Sequence, residues 1–521
     1  MISPDPAAPD PAATVPMHRP DSLWSPGRRP LTLGLVLTIT LVASEALAVA
    51  TAMPIVANDL GGLELYGWVF SAFFLGTLIG ISVVGGLIDE RGMVVPFVGG
   101  LVMFGIGLLV CGLAPTMETV VVGRFIQGLG AGAVPPVAYV AIGRSMPDRL
   151  RPQMFAILSA AWVLPGLFGP VVAGFVAEFW HWRIVFLGLL PLIVIAGSIA
   201  LEAMRGIPDQ PGTADRAGGI EADAPGEADG GSQDSREAAG VAVIDAALDA
   251  ARAERRRRYA WAVVVTLGAG LLMAGLLSEQ PLAFAAAAIA GLAITLVAFR
   301  RLTPPGTLRL ARGYPAAVLL RGFLTFAFFA VDVNVTLLLQ EVRGWSALEA
   351  GLAVTAATLS WSAGSWFQAR TVARVGAAGY VRIGFPIVAL GMAGVAPALL
   401  PEVSAWVTIP AFAVAGFGMG LSYSQFAIIV LRDAPRDAQG AVTAAVSLSD
   451  ALGTALGAGI AGAILAASLR AGAGPGPGLG VTIAVAVGVA FLGFLLAPRL
   501  HHRPVAAIQE SEVGEAGDVA A

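Results

Sequence analysis

Three carboxyl groups, Glu45, Asp332 and Asp450, fall well inside long apolar stretches of the chain. An ionisable group at such depth is costly. It is kept for what it does, pairing with an opposite charge or passing a proton. A carboxyl binds its proton more tightly when water is withdrawn and less tightly beside an arginine. A carboxyl whose surroundings alternate between those conditions therefore carries protons. The structural alternative for each acid is a fixed ion pair. Arg124 is the expected counter-ion of Glu45. Arg321 lies close to the start of its own stretch. It is expected to extend its head to the membrane surface, as long basic side chains do near helix ends.

Arg124 and Gln127, three apart, share one helix face. Asn334, Gln340, Gln368, Tyr423, Ser424 and Gln425 add uncharged polar groups at depth. Phe323, Phe326, Phe328, Phe329, Trp361 and Trp366 add aromatic surface. Aromatic walls with few polar anchors suit a large apolar or amphipathic cation. Phe328, Asn334, Trp361 and Gln425 are the candidate contacts for such a small molecule.

Enzyme chemistry has no foothold in this sequence. H-E-x-x-H, G-x-S-x-G and a phosphate-cradling P-loop are all missing. The histidines are His18, His181, His501 and His502. The single cysteine, Cys111, allows no intrachain disulfide and no cysteine-based metal site. No metal and no cofactor are expected, and the energy source is expected to be a proton gradient.

The elements that place these groups follow from composition. Of 521 residues, 57% are hydrophobic and 13% charged, against about 45–50% and 25% in soluble domains. Mean hydropathy is +0.79. This excludes an ordinary soluble enzyme, a disordered chain and a nucleic-acid binder, and points to an all-α membrane protein. A helix needs about 20 apolar residues to cross the hydrocarbon. Fourteen stretches qualify, near 31–53, 66–88, 94–114, 118–143, 153–178 and 184–203, then 259–277 and 281–299, then 315–340, 347–369, 380–400, 404–431, 440–468 and 479–498. The pattern is six, two, six. Glu45 and Asp332 therefore lie at matching depth on the first helix of each six-helix half, as internal repeats would place them.

All 31 basic residues are arginine, in keeping with a high-GC bacterial genome. With both termini cytoplasmic, the inner loops carry Arg91, Arg144, Arg149, Arg151, Arg300, Arg301, Arg309, Arg312, Arg370, Arg374, Arg382, Arg432 and Arg436. The outer loops carry only Arg183, Arg343 and Arg470. That asymmetry is the positive-inside rule, and it predicts a multi-pass protein of the bacterial plasma membrane.

The expected divisions are a disordered cytoplasmic tail over 1–30, a six-helix bundle over 31–203, an acidic cytoplasmic linker over 204–258, two inserted helices over 259–299, a second six-helix bundle over 315–498, and a cytoplasmic tail over 499–521. The tail is not read as a signal peptide, because the first apolar run exceeds the usual 7–15 residues. The linker begins with acidic, Gly-rich sequence. It ends in a short helix with Val241, Ile244, Leu248 and Ala251 on one face and Arg255 to Arg258 at its end. Those arginines serve as a topology signal or meet anionic lipid.

Three segments carry motifs. The loop after the second stretch reads Gly85-Gly-Leu-Ile-Asp89-Glu-Arg91-Gly92. The fourth reads Gly123-Arg124-Phe-Ile-Gln127-Gly128-Leu-Gly130-Ala-Gly132, with small residues spaced for close helix packing. The fifth reads Pro165-Gly166-Leu-Phe-Gly169-Pro170-Val-Val-Ala173-Gly174, where proline kinks a helix and glycine admits a neighbour.

In this order, these segments resemble signatures of the major facilitator superfamily: the loop G-x-L-a-D-R-x-G-R/K-R/K, the R-x-x-Q-G-x-G element, and the antiporter motif G-x-x-x-G-P-x-x-G-G. Glu45-Ala-Leu-Ala-Val-Ala-Thr-Ala-Met-Pro54 is similar to the frame of D-x-T-x-V-N-x-A-x-P. His181-Trp182-Arg183 resembles W-R-W, and Gly453-Thr-Ala-Leu-Gly457 resembles G-g-a-l-G. Together with fourteen spans, these place the resemblance in the drug:proton antiporter branch. The departures are Glu45 for Asp, Glu90 for Arg, Met93 and Val94 for the basic pair, and Pro165 and Ala173 for two glycines.

The resemblance implies a major facilitator fold with two extra central helices. It implies proton-coupled export of small hydrophobic or cationic compounds by a monomer. Asp89, Arg91, Gly92, Arg124, Gln127, Gly128, Gly169, Pro170 and Gly174 would then serve conformational change. Export of an endogenous lipid, siderophore or antibiotic, proton symport, and a non-transporting membrane scaffold remain the alternatives.

Overall fold

A computed structural model describes residues 22–147, 149–161, 163–207, 233–278, 280–435 and 439–500. Of the expected tails over 1–30 and 499–521, residues 1–21 and 501–521 lie outside the described residues, as do the acidic start of the linker and Arg436. So do the side chains of Asp89 and Arg255.

The described residues form helices and the loops between them. In chain order the α-helices are α1 (Arg29–Leu60), α2 (Tyr66–Arg91), α3 (Val94–Gly112), α4 (Met117–Ala131), α5 (Val134–Ser145), α6 (Arg151–Ala160), α7 (Val163–Val176), α8 (Trp182–Leu187), α9 (Leu189–Arg205), α10 (Gln233–Leu277), α11 (Pro281–Leu302), α12 (Tyr314–Leu337), α13 (Ala347–Val375), α14 (Ala377–Val395), α15 (Thr408–Ser422), α16 (Gln425–Asp433), α17 (Gln439–Arg470) and α18 (Pro475–Leu496). Among the described residues, twelve helical stretches are long and apolar enough to cross a membrane. One of them, Val163–Arg205, runs 43 residues. Helix α13 is 29 residues long but is not among the twelve; its serines, threonines, Gln368 and arginines dilute its apolar character.

Four stretches expected to be single helices, 118–143, 153–178, 184–203 and 404–431, are interrupted, and proline explains the first two. Proline has no N–H and its ring crowds the carbonyl four residues back. Pro135 and Pro136 crowd Ala131 and Gly132, where α4 gives way to α5. Pro165 crowds Ala161, where α6 gives way to α7. The reverse holds at the linker. The short helix and the seventh stretch fuse into the 45-residue α10, because the Ala, Arg, Glu, Tyr and Trp residues joining them are compatible with a continuous helix.

The first and last groups of helices repeat one pairing scheme. In the first group α1 packs on α7 and α9, and α4 packs on α2 and α3. In the last group α12 packs on α17 and α18, and α15 packs on α13 and α14. Small residues set the closest approaches. Gly128 lies on the Phe73 backbone, Gly130 on Gly100, Gly453 on Gly322, and Gly457 on Phe326.

The groups meet at their distal ends, opposite the start of α1. Thr336 Oγ1 donates to the Ala50 carbonyl (2.5 Å), Gln340 Nε2 to that of Thr51 (3.1 Å), and Tyr66 Oη to that of Val333 (2.9 Å). Asn58 Nδ2 donates to Glu341 Oε1 (2.7 Å). Gly67 lies on Gly462, and Ser71 Oγ donates to the Ala455 carbonyl (3.0 Å). At the proximal end the first group keeps its own buried cluster, which includes Leu35, Met93, Phe97, Val137, Met154 and Met204 and no residue of the last group.

Candidate functional site

Helices α1 and α4 bring Glu45 to Arg124. Both are almost fully buried, and Glu45 Oε1 accepts from Arg124 Nη1. The same Nη1 donates to Gln127 Oε1 (2.8 Å), and Nε donates to the Val69 carbonyl (3.3 Å). The guanidinium lies 4.2 Å from the centre of the Phe73 ring. Arg124 is thus held by an acid, an amide, a carbonyl and an aromatic face, the surroundings a buried guanidinium needs. The cluster is not saturated. Glu45 Oε2 and Gln127 Nε2 have no hydrogen-bond partner among the described residues. Gly107 packs on the backbone of Gln127 and Gly128 on α2, which fixes the rotation of α4 that turns Arg124 inward.

A second charge pair occupies the last group. Arg321 Nε donates to Asp450 Oδ1 (2.8 Å), and Tyr423 Oη donates to Asp450 Oδ2 (3.1 Å). Arg321 also donates to the Tyr423 carbonyl and stacks on its ring. The expectation that Arg321 reaches the membrane surface is therefore wrong: it is buried. An acid across the helix interface, with a tyrosine ring and a carbonyl beside it, replaces the solvation that snorkelling would provide.

Asp332 differs from both. It lies on α12, is half-buried, and makes no hydrogen bond or ion pair among the described residues. Of the three acids read from the sequence, Glu45 and Asp450 are paired and Asp332 is not.

The aromatic candidates converge. The Phe328 ring lies 5.5 Å from Trp361 and 5.6 Å from Phe412, and Trp361 lies 5.1 Å from Tyr423. Gln425 is buried and donates to Gln368, which donates to Ser424 Oγ (3.1 Å). A wall of Phe328, Trp361 and Tyr423 thus leads to the Arg321–Asp450 pair. Asn334 is not part of it. Its side chain turns toward α14 and α18, facing a void of about 10 Å³ lined also by Val395, Leu479 and Thr482. Its Nδ2 bonds the Ala330 carbonyl (2.9 Å). The helical period places Asn334 about 200° from Asp332, so the two cannot serve one cavity. Trp366 is exposed on the outer side of α13.

The motif residues sort by position. Gly92 ends α2 at φ 72°, a conformation that suits glycine, and Arg91 is exposed. In α7, Gly174 lies against the Ala347 carbonyl and Gly166 against Thr358, while Pro170 lies against Gly351. The proline–glycine face is therefore the seam with α13. Gly169 points elsewhere, toward Ser44 and Leu47, and a side chain there would make ordinary contacts.

Sequence reading missed Asn58, Glu341, Thr336 and Tyr66, which join the two groups. Their signal was weak, since single polar residues near helix ends are ordinary. Trp182 and Arg183, of the segment that resembles W-R-W, have a tie: Trp182 Nε1 donates to Asp59 Oδ2 (2.8 Å), and Arg183 pairs with Asp59 (3.5 Å).

Residues 33–458 match the family model described as Major Facilitator Superfamily. The chain belongs to this superfamily. Similar solved structures include an auto-inhibited POT family peptide transporter (TM-score 0.63, 15% identity, 91% of this chain and 97% of that one). A D-xylose-proton symporter is also similar (TM-score 0.60, 15% identity, 90% and 97%). These likenesses show a major facilitator fold. Among curated relatives, the multidrug transporter protein MdtP of Bacillus subtilis is 30% identical over 176 residues, 34% of this chain and 32% of that protein. Multidrug resistance protein 3 of the same species is 34% identical over 152 residues, 29% and 30% of the two chains. The multidrug efflux pump SdrM of Staphylococcus aureus is 28% identical over 166 residues, 32% and 37% of the two chains. The chain thus spans about a third of the length of the curated relatives it matches.

Proposed function

We propose that this superfamily member is a proton-coupled antiporter, not an enzyme, that exports small hydrophobic or cationic compounds. The observation that carries the reading is the contrast between Glu45 and Asp332. They occupy equivalent helices of the repeated pairing scheme, yet one acid is paired with Arg124 and the other has no partner. Breaking a buried pair by neutralising one member costs about 3–5 kcal/mol. Protonating Glu45 therefore changes the preferred packing of α1 on α4, while Asp332 can exchange its proton without losing a partner. Proton occupancy and conformation become linked. The names of the multidrug relatives support drug-like cargo, and the Phe328–Trp361–Tyr423 wall supplies aromatic surface for it.

On this reading the chain crosses the plasma membrane fourteen times with both termini cytoplasmic. The 43-residue Val163–Arg205 stretch is about 64 Å long at 1.5 Å per residue, enough for two crossings, and α13 supplies the other. The bundles span 31–203 and 315–498, with the inserted pair between them, and the protein works as a monomer without a cofactor. The distal hydrogen bonds then close the extracellular side, and the molecule faces inward.

Purified protein in vesicles tests this. A lipophilic cationic dye should accumulate against its gradient only when a pH gradient is imposed, and reversing that gradient should reverse the flux. Dye movement that ignores the pH gradient would refute proton coupling.

A further inference from the structure

The inserted hairpin, α10 and α11, is bare on its outer side. Leu267 is 65% exposed, Leu282 83% and Ile289 69%. Such a band of naked apolar side chains is solvated by acyl chains. At its proximal end the band stops and arginines begin. Arg256, Arg257 and Arg258 precede it on α10, and Arg300 and Arg301 close α11.

Packing brings the two sets together. Gly268 lies on Thr295 and Gly275 on Ala288, so the helices run antiparallel and their arginine-bearing ends coincide. Arg301 lies 5.9 Å from the ring centre of Trp261, one turn beyond Arg257. Among the described residues a single acid reaches the cluster, leaving it net positive. Glu254 reaches both Arg257 (3.8 Å) and Arg258 (3.6 Å). Arg256, Arg300 and Arg301 have no carboxylate partner among the described residues, and all of these arginines are exposed. Tyr259 and Trp261, beside the cluster, are residue types that mark the headgroup level of a bilayer.

We propose that the proximal end of this hairpin binds the phosphodiester headgroup of an anionic phospholipid, using Arg256, Arg257, Arg300 and Arg301 around Trp261. A topology signal needs only charge in a loop. Here two antiparallel helices bring their arginine-bearing ends to the same end of a lipid-facing apolar surface, with Arg301 near Trp261. Guanidinium groups match phosphate oxygens in bidentate geometry. The hairpin that bears the site also packs on the working parts of the fold. Helix α10 packs on α2 of the first group and on α17 of the last, with Met273 against Gly459. A lipid held here anchors the proximal end of a hairpin that packs on both groups.

The test uses the full chain in detergent and in nanodiscs, with phosphatidylglycerol, phosphatidylcholine and soluble glycerol 3-phosphate as probes. Native mass spectrometry should show phosphatidylglycerol retained over phosphatidylcholine. Arg256→Gln, Arg257→Gln, Arg300→Gln and Arg301→Gln together should weaken that retention, by about fivefold per arginine removed. Lysine at the same positions should restore part of it. Should the fourfold variant fail to insert, Arg300→Gln with Arg301→Gln leaves the α10 arginines as a topology signal and should still lower retention. Equal retention of both lipids, undiminished retention in the glutamine variants, or equal protection by glycerol 3-phosphate would each overturn the proposal.

Discussion

Arg321 is bound to Asp450 across the α12–α17 interface, Nε to Oδ1 at 2.8 Å, with Tyr423 closing the second carboxylate oxygen. The base sits on the first helix of its group and the acid on the fifth. In the first group the acid, Glu45, is on the first helix and the base, Arg124, on the fourth spanning stretch. The repeated scaffold thus carries two charge pairs of opposite sense.

This arrangement makes Arg321 and Asp450 energetically coupled. Asp450→Asn should destabilise the protein by roughly 1.5–3 kcal/mol, the range for a hydrogen bond to a charged group. Combining it with Arg321→Gln should cost less than the sum of the single changes. Thermal unfolding in detergent, arranged as a double-mutant cycle, measures the difference. Additive effects would show that the pair is not formed.

Glu45 and Asp332 should separate stability from coupling. Glu45→Gln removes the counter-charge of a buried arginine and should lower both thermal stability and proton-driven transport. Asp332→Asn removes a carboxylate that bonds nothing nearby. It should leave the unfolding temperature near that of the native protein and still abolish coupling. A large loss of stability in Asp332→Asn would reveal a partner for Asp332 that this geometry lacks.

The two motif glycines of α7 should behave differently. A side chain at Gly174 meets the Ala347 backbone across the seam, so Gly174→Val should impose overpacking of about 1–3 kcal/mol and impair transport. Gly169 faces ordinary contacts with Ser44 and Leu47, so Gly169→Ala should retain near-native efflux. Equal tolerance at both positions would contradict the seam.

The distal contacts should act as a latch. Asn58→Cys with Glu341→Cys should be bridged by a short, reducible bis-methanethiosulfonate cross-linker and arrest transport, with activity returning on reduction. Cys111 is buried and should not interfere. Failure to cross-link, or full transport after cross-linking, would show that these ends do not close together.

The sequence allowed part of this to be foreseen. Glu45 and Arg124 were legible as a pair because both lie deep in apolar sequence, where an unpaired charge is costly. Arg321 was misplaced because depth was judged by distance from the helix start, and a tyrosine and an acid on other helices decide its position instead. Asn334 reads from the sequence only as a polar group at depth, and depth does not say which face of the helix it takes. The rotation of α12, set by Gly322 against Ser449, turns it away from the aromatic wall. The breaks before Pro135 and Pro165 were readable from proline chemistry, whereas the fusion of linker helix and span in α10 required the absence of a breaker to outweigh a change in polarity. The distal latch had no periodic signal at all, since its residues meet only after the two groups pack.

The central claim is that carboxyl groups on equivalent helices couple protons to cargo. Substrate-induced proton release from detergent-solubilised protein tests it most directly. The native protein should release protons when a lipophilic cation is added, Asp332→Asn should release none, and Glu45→Gln should release markedly fewer. Undiminished release from both variants would contradict the account.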